Sequence, residues 1–525
     1  MMIPRSFRLL MCALALVLMI PCIAAAEVTS LTVGITATPD IQLRPLELNQ
    51  RDMVSVLDMV YEGLFSIDDN YQPQPELAYS YSFISNNQRL EVVLRDDVTF
   101  HSGKKLTAHD VVATLDYMYE LSGFDKDLNS EVELAERGLY YSTFYSIKSW
   151  EATDDQTVLF TLRRASYGSL YSLAFPILPA DEVRNEMPAG TGPYKYDGYE
   201  PESILWLAAN TKWWKRVPQI RNIRVNIYPD TEAVLTAFDL QFVDTALTRS
   251  INASRYSGSL NSFSLQARTR QLEALLINRA FSVFKSDNDG KNLVREAISY
   301  AINRSELISS AYQGMASVAY TPVPVGTWMS NETTIKDKYD PLMAAALLDS
   351  AGYKMADDGK RYKDGKTFPT MYLLVYDEPG SSVRTNAANK IKDQLAAVGI
   401  PVIVSTKSRD YTLTKLRSGD YSLALVAFNF DVNPDPGFTL TSTASCNYTR
   451  YRSNDMNDLL TQLRKSATPD EYRYAMNLIQ DQFEQDIPYL PLYWRAGALL
   501  SRSAFTDARD IRELELLRGT ESFGN

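Results

Sequence analysis

Few residues in this chain are suited to acid–base chemistry. The 525 residues include two histidines, His101 and His109, and both fall in one short segment. Histidine-dependent general acid–base or triad chemistry would have to be located there. An isolated imidazole does not make a metal site, because zinc and similar metals need three or four ligands. We therefore expect both histidines to be structural, and we predict no catalytic residue, no metal site and no cofactor.

The sequence also lacks the short motifs of common enzyme classes. It contains no G-x-S-x-G elbow, no H-E-x-x-H, no C-x-x-C and no G-x-x-x-x-G-K-[ST] loop. Gly190-Thr191-Gly192 lacks the third glycine and the strand-to-helix context of a dinucleotide fingerprint. Adjacent acids such as Asp96-Asp97 would point to opposite faces of a strand, so solvated turns explain them better than paired catalytic carboxylates. A secreted enzyme remains only as an alternative class.

Residues 1–26 predict export. Arg5 and Arg8 precede an apolar run, and small residues lead up to Ala26. This order is typical of a secretory signal peptide that is cut after Ala26. The run is shorter than the roughly 20 residues that span a bilayer, so we expect an exported protein, in a periplasm or at the outer face of the cytoplasmic membrane. Lipidation of Cys22 stays open as an alternative.

Composition limits the partners and the means of stabilisation. A formal net charge of −11 disfavours adhesion to nucleic acid or to anionic lipid. Once residues 1–26 are removed, Cys446 is the remaining cysteine, so an internal disulfide is impossible. With 45% apolar residues, the chain is long enough to bury more than one core and should form two or three domains.

Strand and helix patterns alternate along the chain and predict an α/β protein. Thr107 resembles the N-cap of a helix that runs to Leu121, and Met53 to Leu64 has helical spacing that ends at Gly63. Later strands alternate with a helix over Thr385 to Val398, which favours a βαβ arrangement. The predicted strands are Ser30–Ile35, Arg89–Leu94, Thr157–Leu162, Ile204–Ala208, Ile220–Ile227, Met371–Tyr376, Val402–Ser405 and Ser422–Ala427.

One segment and several later landmarks carry a family resemblance. The stretch from Leu94 to Val111, LRDDVTFHSGKKLTAHDV, is similar to the signature of the family 5 extracellular solute-binding proteins. Further landmarks occur in the family's order and extend the resemblance over nearly the whole mature chain: Tyr61-Glu62-Gly63-Leu64, Pro75-Glu76-Leu77-Ala78, Gly190-Thr191-Gly192-Pro193-Tyr194, Trp213-Trp214, Tyr300-Ala301-Ile302-Asn303-Arg304 and Pro488-Tyr489-Leu490-Pro491-Leu492-Tyr493.

The resemblance implies a two-lobed α/β fold of the periplasmic-binding-protein type (class II, cluster C). Lobe I would be discontinuous, made from residues 27–68, 192–280 and 488–525. An extra subdomain, residues 69–191, would sit on lobe I, and residues 281–487 would form lobe II. The signature itself fits a hairpin leading into a capped helix, so we interpret it as structural.

The resemblance also implies where a ligand binds. In peptide-binding relatives a carboxylate of lobe II pairs with the ligand's α-ammonium group, which is costly to desolvate without an opposite charge. The matching segment here runs from Phe428 to Phe438, and Asp431 falls at the carboxylate position. Phe428 would form an apolar wall, and Asn433 and Asp435 are further candidates. The alternative is that both aspartates cap turns beside the prolines of this segment.

One departure from the relatives concerns the ligand carboxylate. Some dipeptide binders hold it with an arginine in the loop that here reads Asp377-Glu378-Pro379-Gly380. A carboxylate in that place would repel a peptide C-terminus. Arg384 is a candidate substitute, although a solvated residue near a helix start is the alternative. The sequence thus supports an amine anchor better than a carboxylate anchor.

These expectations add up to a binding protein for a peptide that serves an importer. The resemblance implies a monomer that works with an ABC transporter permease and ATPase and binds no nucleic acid. Two alternatives stay open: a binding protein for a nickel chelate or other non-peptide solute, and a surface sensor that uses the same closing fold.

Overall fold

The structure is a computed structural model. It describes residues 29–38, 41–85, 88–124, 139–163, 166–259, 262–285, 292–334, 336–378, 380–502, 511–512, 515–517 and 519–520. The predicted signal peptide, Cys22 and Pro379 lie outside the described residues.

Strands and helices alternate as the sequence patterns predict. The strands are β1 Ser30–Thr36, β2 Phe65–Ile67, β3 Pro73–Pro75, β4 Ala78–Ile84, β5 Arg89–Leu94, β6 Ile147–Ala152, β7 Thr157–Leu162, β8 Tyr194–Glu200, β9 Ile204–Ala209, β10 Asn222–Tyr228, β11 Thr245–Thr248, β12 Phe263–Ile277, β13 Ala316–Val318, β14 Lys354–Met355, β15 Arg361–Lys363, β16 Lys366–Thr367, β17 Met371–Tyr376, β18 Val402–Lys407, β19 Leu423–Asn429 and β20 Leu490–Ser501. The α-helices are α1 Arg51–Leu57, α2 Ala108–Ser122, α3 Thr143–Ser146, α4 Thr231–Asp239, α5 Leu293–Ala301, α6 Arg304–Ala311, α7 Pro341–Ser350, α8 Val383–Ala397, α9 Arg409–Ser418, α10 Gly437–Leu440, α11 Asn454–Leu463 and α12 Pro469–Asp486. Short 3₁₀ helices cover Tyr167–Leu173, Ile251–Tyr256 and Ser282–Phe284.

Two long antiparallel strands, β12 and β20, lie at the centre of the main sheet. Among the described residues this sheet has eleven strands in the order β18-β17-β19-β12-β20-β11-β1-β10-β9-β8, with β13 paired to β20. One half of β12 pairs with β19, and the start of β20 pairs with β13. The other end of β20 pairs with β11. The two strands therefore connect the two halves of the sheet.

Each half of the sheet contains parallel pairs that are covered by helices. On one side β1 pairs in parallel with β10 and β11. On the other, β17 pairs in parallel with β18, and α8 connects them. This confirms the predicted βαβ unit. The Leu and Val residues of β17 and β19 lie in nearly continuous buried runs because helices cover this half of the sheet.

A separate four-stranded sheet, in the order β4-β5-β7-β6, forms in the predicted extra subdomain. Helix α2 contacts this sheet and begins with a capping box between Thr107 and Asp110. A bridge between Thr99 and Lys105 closes the hairpin before the helix. The signature segment is thus a hairpin and a capped helix, as predicted.

One predicted helix is shorter in the structure. The pattern from Met53 to Leu64 predicts a helix that ends at Gly63, but α1 ends at Leu57. The carbonyls of Met59 and Val60 instead accept hydrogen bonds from the N–H groups of Tyr194 and Gly192, each at 3.0 Å. A tertiary contact here replaces the helical hydrogen bonds.

The same contact explains a glycine in the Gly190-Thr191-Gly192 loop. A side chain at Gly190 would place its Cβ only 2.0 Å from the Val60 carbonyl oxygen. The loop therefore depends on glycine for close backbone packing, and a dinucleotide-binding role is not needed to explain it.

Candidate functional site

Two adjoining cavities lie between the N-terminal part of the chain, the central strands and the later helices. The small cavity measures about 130 Å³ and is mainly apolar, with walls that include Tyr71, Phe175, Phe430 and Trp494. The large cavity measures about 890 Å³ and lies between Tyr141–Ser169 and the region from Val426 to Tyr472. Because Asp431 and several tyrosines line these cavities, we take the two cavities as the candidate binding site.

Asp431 lies where the two cavities meet, because it lines both of them. Its side chain is 40% exposed, and its Oδ1 lies 3.8 Å from the Arg270 Nη1. The same oxygen accepts a hydrogen bond from the Val432 N–H at 2.6 Å. The carboxylate thus borders open space, and among the described residues its arginine partner is Arg270, at the outer limit of an ion pair.

The other residues predicted in this segment line the large cavity but already have protein partners. Phe428 is buried and packs against Tyr489, with ring centroids 5.3 Å apart. The Asn433 amide donates to the Gly168 carbonyl at 3.3 Å. Asp435 accepts from the Gly437 N–H at 2.7 Å and pairs with the Arg464 Nε at 2.5 Å. Asp435 thus has the turn-capping contact that the alternative interpretation expected.

Arg384 lies elsewhere, in a buried ion-pair network. It is 1% exposed, so the interpretation as a solvated residue is wrong. Its Nη2 lies 2.6 Å from Glu273 Oε1, and its Nη1 lies 2.9 Å from Glu378 Oε1. Arg495 pairs with the same two carboxylates, at 2.7 and 2.9 Å. Arg384 is not among the described residues that line either cavity.

The electrostatics of this network favour its ionised form. Burial pushes the pKa of Glu273 upward, but Arg384 and Arg495 outweigh that effect and hold the pKa below its usual range. Burial lowers the pKa of both arginines, and Glu273 more than restores it. Because Glu273 lies on β12, Arg495 on β20 and Arg384 on α8, the network joins the two central strands to a helix.

The loop after β17 belongs to this same network. Glu378, in the loop where the resemblance implies an arginine in some dipeptide binders, lies close to both Arg384 and Arg495. The ring of Tyr376 lies between the network and the large cavity, since the Arg384 guanidinium carbon is 3.8 Å from the ring centroid. The departure in sequence therefore reflects a structural carboxylate in this position.

His101 is structural, as predicted. Its Nδ1 accepts from the Gly190 N–H at 3.2 Å, and its Nε2 lies 3.0 Å from the Gly192 carbonyl. This arrangement requires the neutral ring with its proton on Nε2. Burial lowers the pKa of His101 to about 4, so the ring stays neutral under ordinary conditions. His109 is exposed and lies 3.6 Å from Asp155.

Glu62, one of the landmark residues, is a second buried carboxylate. Its oxygens accept hydrogen bonds from the indole N–H groups of Trp213 and Trp214 at 2.9 to 3.2 Å. Burial, together with Glu76, raises the pKa of Glu62 to about 8, although Lys215 opposes the shift. Both tryptophans are thus held in place by hydrogen bonds to this carboxylate.

The described residues contain no group of three or more His, Cys, Asp or Glu side chains placed to hold a metal ion. In the described part of the chain, each helix is too short or too polar to cross a membrane.

Two residues of this region escaped sequence reasoning: Arg270 at the cleft and Glu273 in the network. Both lie on β12, where Thr269 and Glu273 are buried while Arg270 is partly exposed. The available signal was the run of charged and polar residues from Arg268 to Gln271, followed by Glu273, within a strand that ends in an apolar run. That signal identifies no partner, because Glu273 and Arg495 are more than 200 positions apart in sequence.

Comparison with known proteins agrees with this architecture. A family model described as "Bacterial extracellular solute-binding proteins, family 5 Middle" matches residues 72–450. The chain is 25% identical over 466 residues to the oligopeptide-binding protein AppA of Bacillus subtilis, with 83% of this chain and 81% of that protein covered. It is also 25% identical over 517 residues to the glutathione-binding protein GsiB of Escherichia coli K12, covering 91% of each.

Solved structures share the fold. AppA of Bacillus subtilis in complex with a nonapeptide superposes with a TM-score of 0.64 at 22% identity, covering 94% of this chain and 98% of that one. A nickel ABC transporter protein from Bacillus halodurans gives a TM-score of 0.78 at 17% identity, covering 92% and 98%. At these identities the superpositions show a common two-lobed fold.

Proposed function

Because the chain belongs to the bacterial extracellular solute-binding proteins of family 5, we propose that it captures a peptide between two lobes and delivers it to a membrane importer. The observation that carries the proposal is the Asp431 carboxylate at the junction of the two cavities. A ligand ammonium group there would meet an opposite charge that is only partly screened by water.

The large cavity suits a peptide backbone. Its walls combine aromatic rings with amide and hydroxyl groups, including Tyr141, Tyr376, Gln271 and Asn429. Rings supply contact area at a low entropic cost, and amide groups can satisfy peptide N–H and C=O groups without selecting side chains. A cavity of about 890 Å³ has room for a short peptide.

We propose closure of the two lobes as the mechanism of capture. Lobe I would comprise residues 27–68, 192–280 and 488–525 with the subdomain 69–191, and lobe II residues 281–487. The central strands β12 and β20 would be the hinge. A ligand that contacts both lobes shifts the population toward the closed form.

Contacts across the cleft are consistent with a closed arrangement. The Tyr167 N–H donates to the Ser466 carbonyl at 2.7 Å, and the Trp328 N–H donates to the Asn70 carbonyl at 3.0 Å. The rings of Tyr167 and Trp328 pack edge to face with centroids 5.8 Å apart. In an open form these groups would face solvent.

The remaining parts of the proposal concern context. The protein would be exported to a periplasm or to the outer face of the cytoplasmic membrane, act as a monomer without catalysis, and pass its ligand to an ABC transporter permease driven by an ATPase. AppA and GsiB are named for an oligopeptide and for glutathione, which supports peptides as the ligand class.

Native mass spectrometry of the protein purified from its own host, followed by release and sequencing of any bound molecule, tests the proposal. We expect peptides of narrow length range. A nickel chelate or a sugar in their place would contradict the peptide assignment and favour a non-peptide carrier. Peptide binding without peptide uptake, in a strain whose other peptide importers have been deleted, would favour a sensor.

A further inference from the structure

Among the described residues, four charged side chains line the large cavity: Arg409, Asp431, Asp435 and Arg464. Asp435 and Arg464 pair with each other at 2.5 Å. Asp431 has Arg270 at 3.8 Å. Arg409 is exposed, and within the described part of the chain its side chain forms no ion pair and no hydrogen bond. Of the two arginines in the cavity wall, Arg409 is therefore the one whose charge is open to a ligand.

Helix α9 directs Arg409 toward this cavity. Arg409 is the first residue of the helix, and Leu413 and Leu416 follow at positions i+4 and i+7. Residues at this spacing share one face of a helix, and all three line the large cavity. Tyr411 and Lys415 lie on another face of α9 and border a different cavity. Arg409 thus belongs to the face of α9 that borders the candidate site.

We propose that Arg409 binds the C-terminal carboxylate of the peptide whose α-ammonium group binds Asp431. The ligand is then a short peptide with two free ends, held at opposite charges in the wall of one cavity. A guanidinium suits this task because its planar N–H groups match the two oxygens of a carboxylate. This inference rests on the proposed peptide-binding function and specifies the second anchor of the ligand.

The register of the sheet gives the approximate separation of the two anchors. Val375 of β17 pairs with Thr406 of β18 and with Leu425 of β19, so the latter two lie level with each other, two strand spacings or about 10 Å apart. Arg409 follows Thr406 by three residues and Asp431 follows Leu425 by six. At the rise of a strand, this difference adds about 10 Å along the sheet.

This separation limits the length of the ligand. The two offsets combine to a distance of roughly 10–15 Å between the backbone positions of the anchors. An extended peptide spans about 3.3–3.6 Å per residue, so a ligand of roughly three to five residues reaches from one anchor to the other. The cavity of about 890 Å³ lies between them.

Other arginines near the site already have carboxylate partners. Arg384 lies 2.6 Å from Glu273, and Arg464 contacts Asp435 through two nitrogens, at 2.5 and 3.2 Å. A ligand carboxylate could bind either arginine only by displacing a protein carboxylate, which is costly when that carboxylate is left without its partner. The exposed Arg409 would instead exchange water for the ligand.

Alanine peptides test the second anchor apart from any recognition of side chains. Tri-, tetra- and penta-alanine are each compared with the same peptide carrying a C-terminal amide, which keeps the ammonium and the length but removes the carboxylate. The titrations are calorimetric and use the purified full-length mature protein, freed of bound ligand by unfolding and refolding. We expect at least one length to bind, with its free acid about tenfold tighter than its amide.

Two matched variants assign this preference to Arg409. Arg409→Gln should weaken binding of the free acid and bring acid and amide to within about threefold of each other. Arg417→Gln removes the same charge from the same helix, but Arg417 is not among the described residues that line the large cavity. This control should keep the preference of about tenfold. Thermal unfolding of each variant checks that both are folded.

The outcomes separate this inference from the function beneath it. Equal binding of acid and amide, or a preference that persists in Arg409→Gln, would overturn the second anchor. Failure of every alanine peptide to bind would overturn it too, because anchoring through both ends does not depend on side chains. In each case, peptides released from the native protein in mass spectrometry would keep the proposed function. If that experiment also finds no peptide, both the inference and the proposed function fall.

Discussion

Two sets of carboxylates and arginines each include one residue of β12, and they differ in burial. Arg270 belongs to one set and Glu273, three positions later, to the other. Glu273 is fully buried and contacts both Arg384 and Arg495. Arg270 is 22% exposed and has Asp431 at 3.8 Å. Glu273 and its two arginines are held by contacts of 2.6 to 2.9 Å, whereas Asp431 and Arg270 line a cavity.

The difference separates scaffold charges from charges available to a ligand. A buried carboxylate with two arginines has already replaced its water with protein partners, so a ligand gains little by approaching it. A partly exposed carboxylate whose arginine lies 3.8 Å away is less fully neutralised, so a ligand ammonium gains more by approaching it. Substitutions in the first set should therefore change stability, and substitutions in the second should change binding.

The largest effect should follow Glu273→Gln. The change removes the charge of the fully buried one of the two carboxylates that contact both Arg384 and Arg495, which costs about 3–5 kcal/mol of unfolding free energy. Urea unfolding of the ligand-free protein measures this loss of unfolding free energy. Glu378→Gln is the matched control, because Glu378 contacts the same arginines but is 23% exposed and should cost less. Equal losses in the two variants would remove the distinction based on burial.

Asp431→Asn should have the next largest effect, and on binding. The substitution keeps the size and removes the charge that would hold a ligand ammonium, so affinity should fall by about 1.5–3 kcal/mol. Calorimetric titration with a co-purified peptide measures the loss. The free energy of unfolding should change by less than about 1 kcal/mol, because the pair with Arg270 is partly exposed. Unchanged affinity would contradict the anchor.

His101 offers a pH test of the scaffold. Its folded pKa of about 4 lies below the ordinary value of 6.5, so the unfolded chain binds the proton more tightly. The contribution of His101 to stability is present above pH 6.5 and is lost as the pH falls through 4. We expect wild type to lose about 2–3 kcal/mol more than His101→Gln between pH 7 and pH 4. Parallel losses in the two proteins would contradict a neutral, buried ring.

The smallest effect should follow Asp435→Asn. Asp435 caps the Gly437 N–H and pairs with Arg464, and both charged side chains are 23% exposed. Loss of the pair should reduce stability by about 1 kcal/mol with affinity unchanged. Thermal unfolding and calorimetry on one preparation measure both quantities. A loss of affinity comparable to that of Asp431→Asn would place Asp435 in the binding site.

Local patterns predicted the elements of the fold well. The alternation in Arg89–Leu94 and Thr157–Leu162 matches β5 and β7, and the Thr107 N-cap starts α2 where expected. The helix from Met53 was predicted too long, because its end is determined by hydrogen bonds from a loop more than 130 positions later. Local sequence patterns reveal periodicity and capping residues. They do not reveal which distant backbone group takes the place of a helical hydrogen-bond partner.

The candidate site was predictable only in part. Phe428, Asp431, Asn433 and Asp435 all border the large cavity, since a loop that follows a sheet strand lies at the edge of a cleft. Arg384 was misplaced because its partners, Glu273 and Glu378, cannot be read from its neighbours in sequence. Ion pairs depend on three-dimensional proximity, and no local motif encodes them.

A crystal structure of the protein with its co-purified ligand tests the central claim most directly, through the distance from the ligand's amine nitrogen to the Asp431 carboxylate. The account predicts a ligand in the two adjoining cavities, with that distance at about 2.7–2.9 Å, as for a charged hydrogen bond. A ligand bound elsewhere, or a ligand in the cavities whose amine lies beyond hydrogen-bonding reach of Asp431, would contradict it.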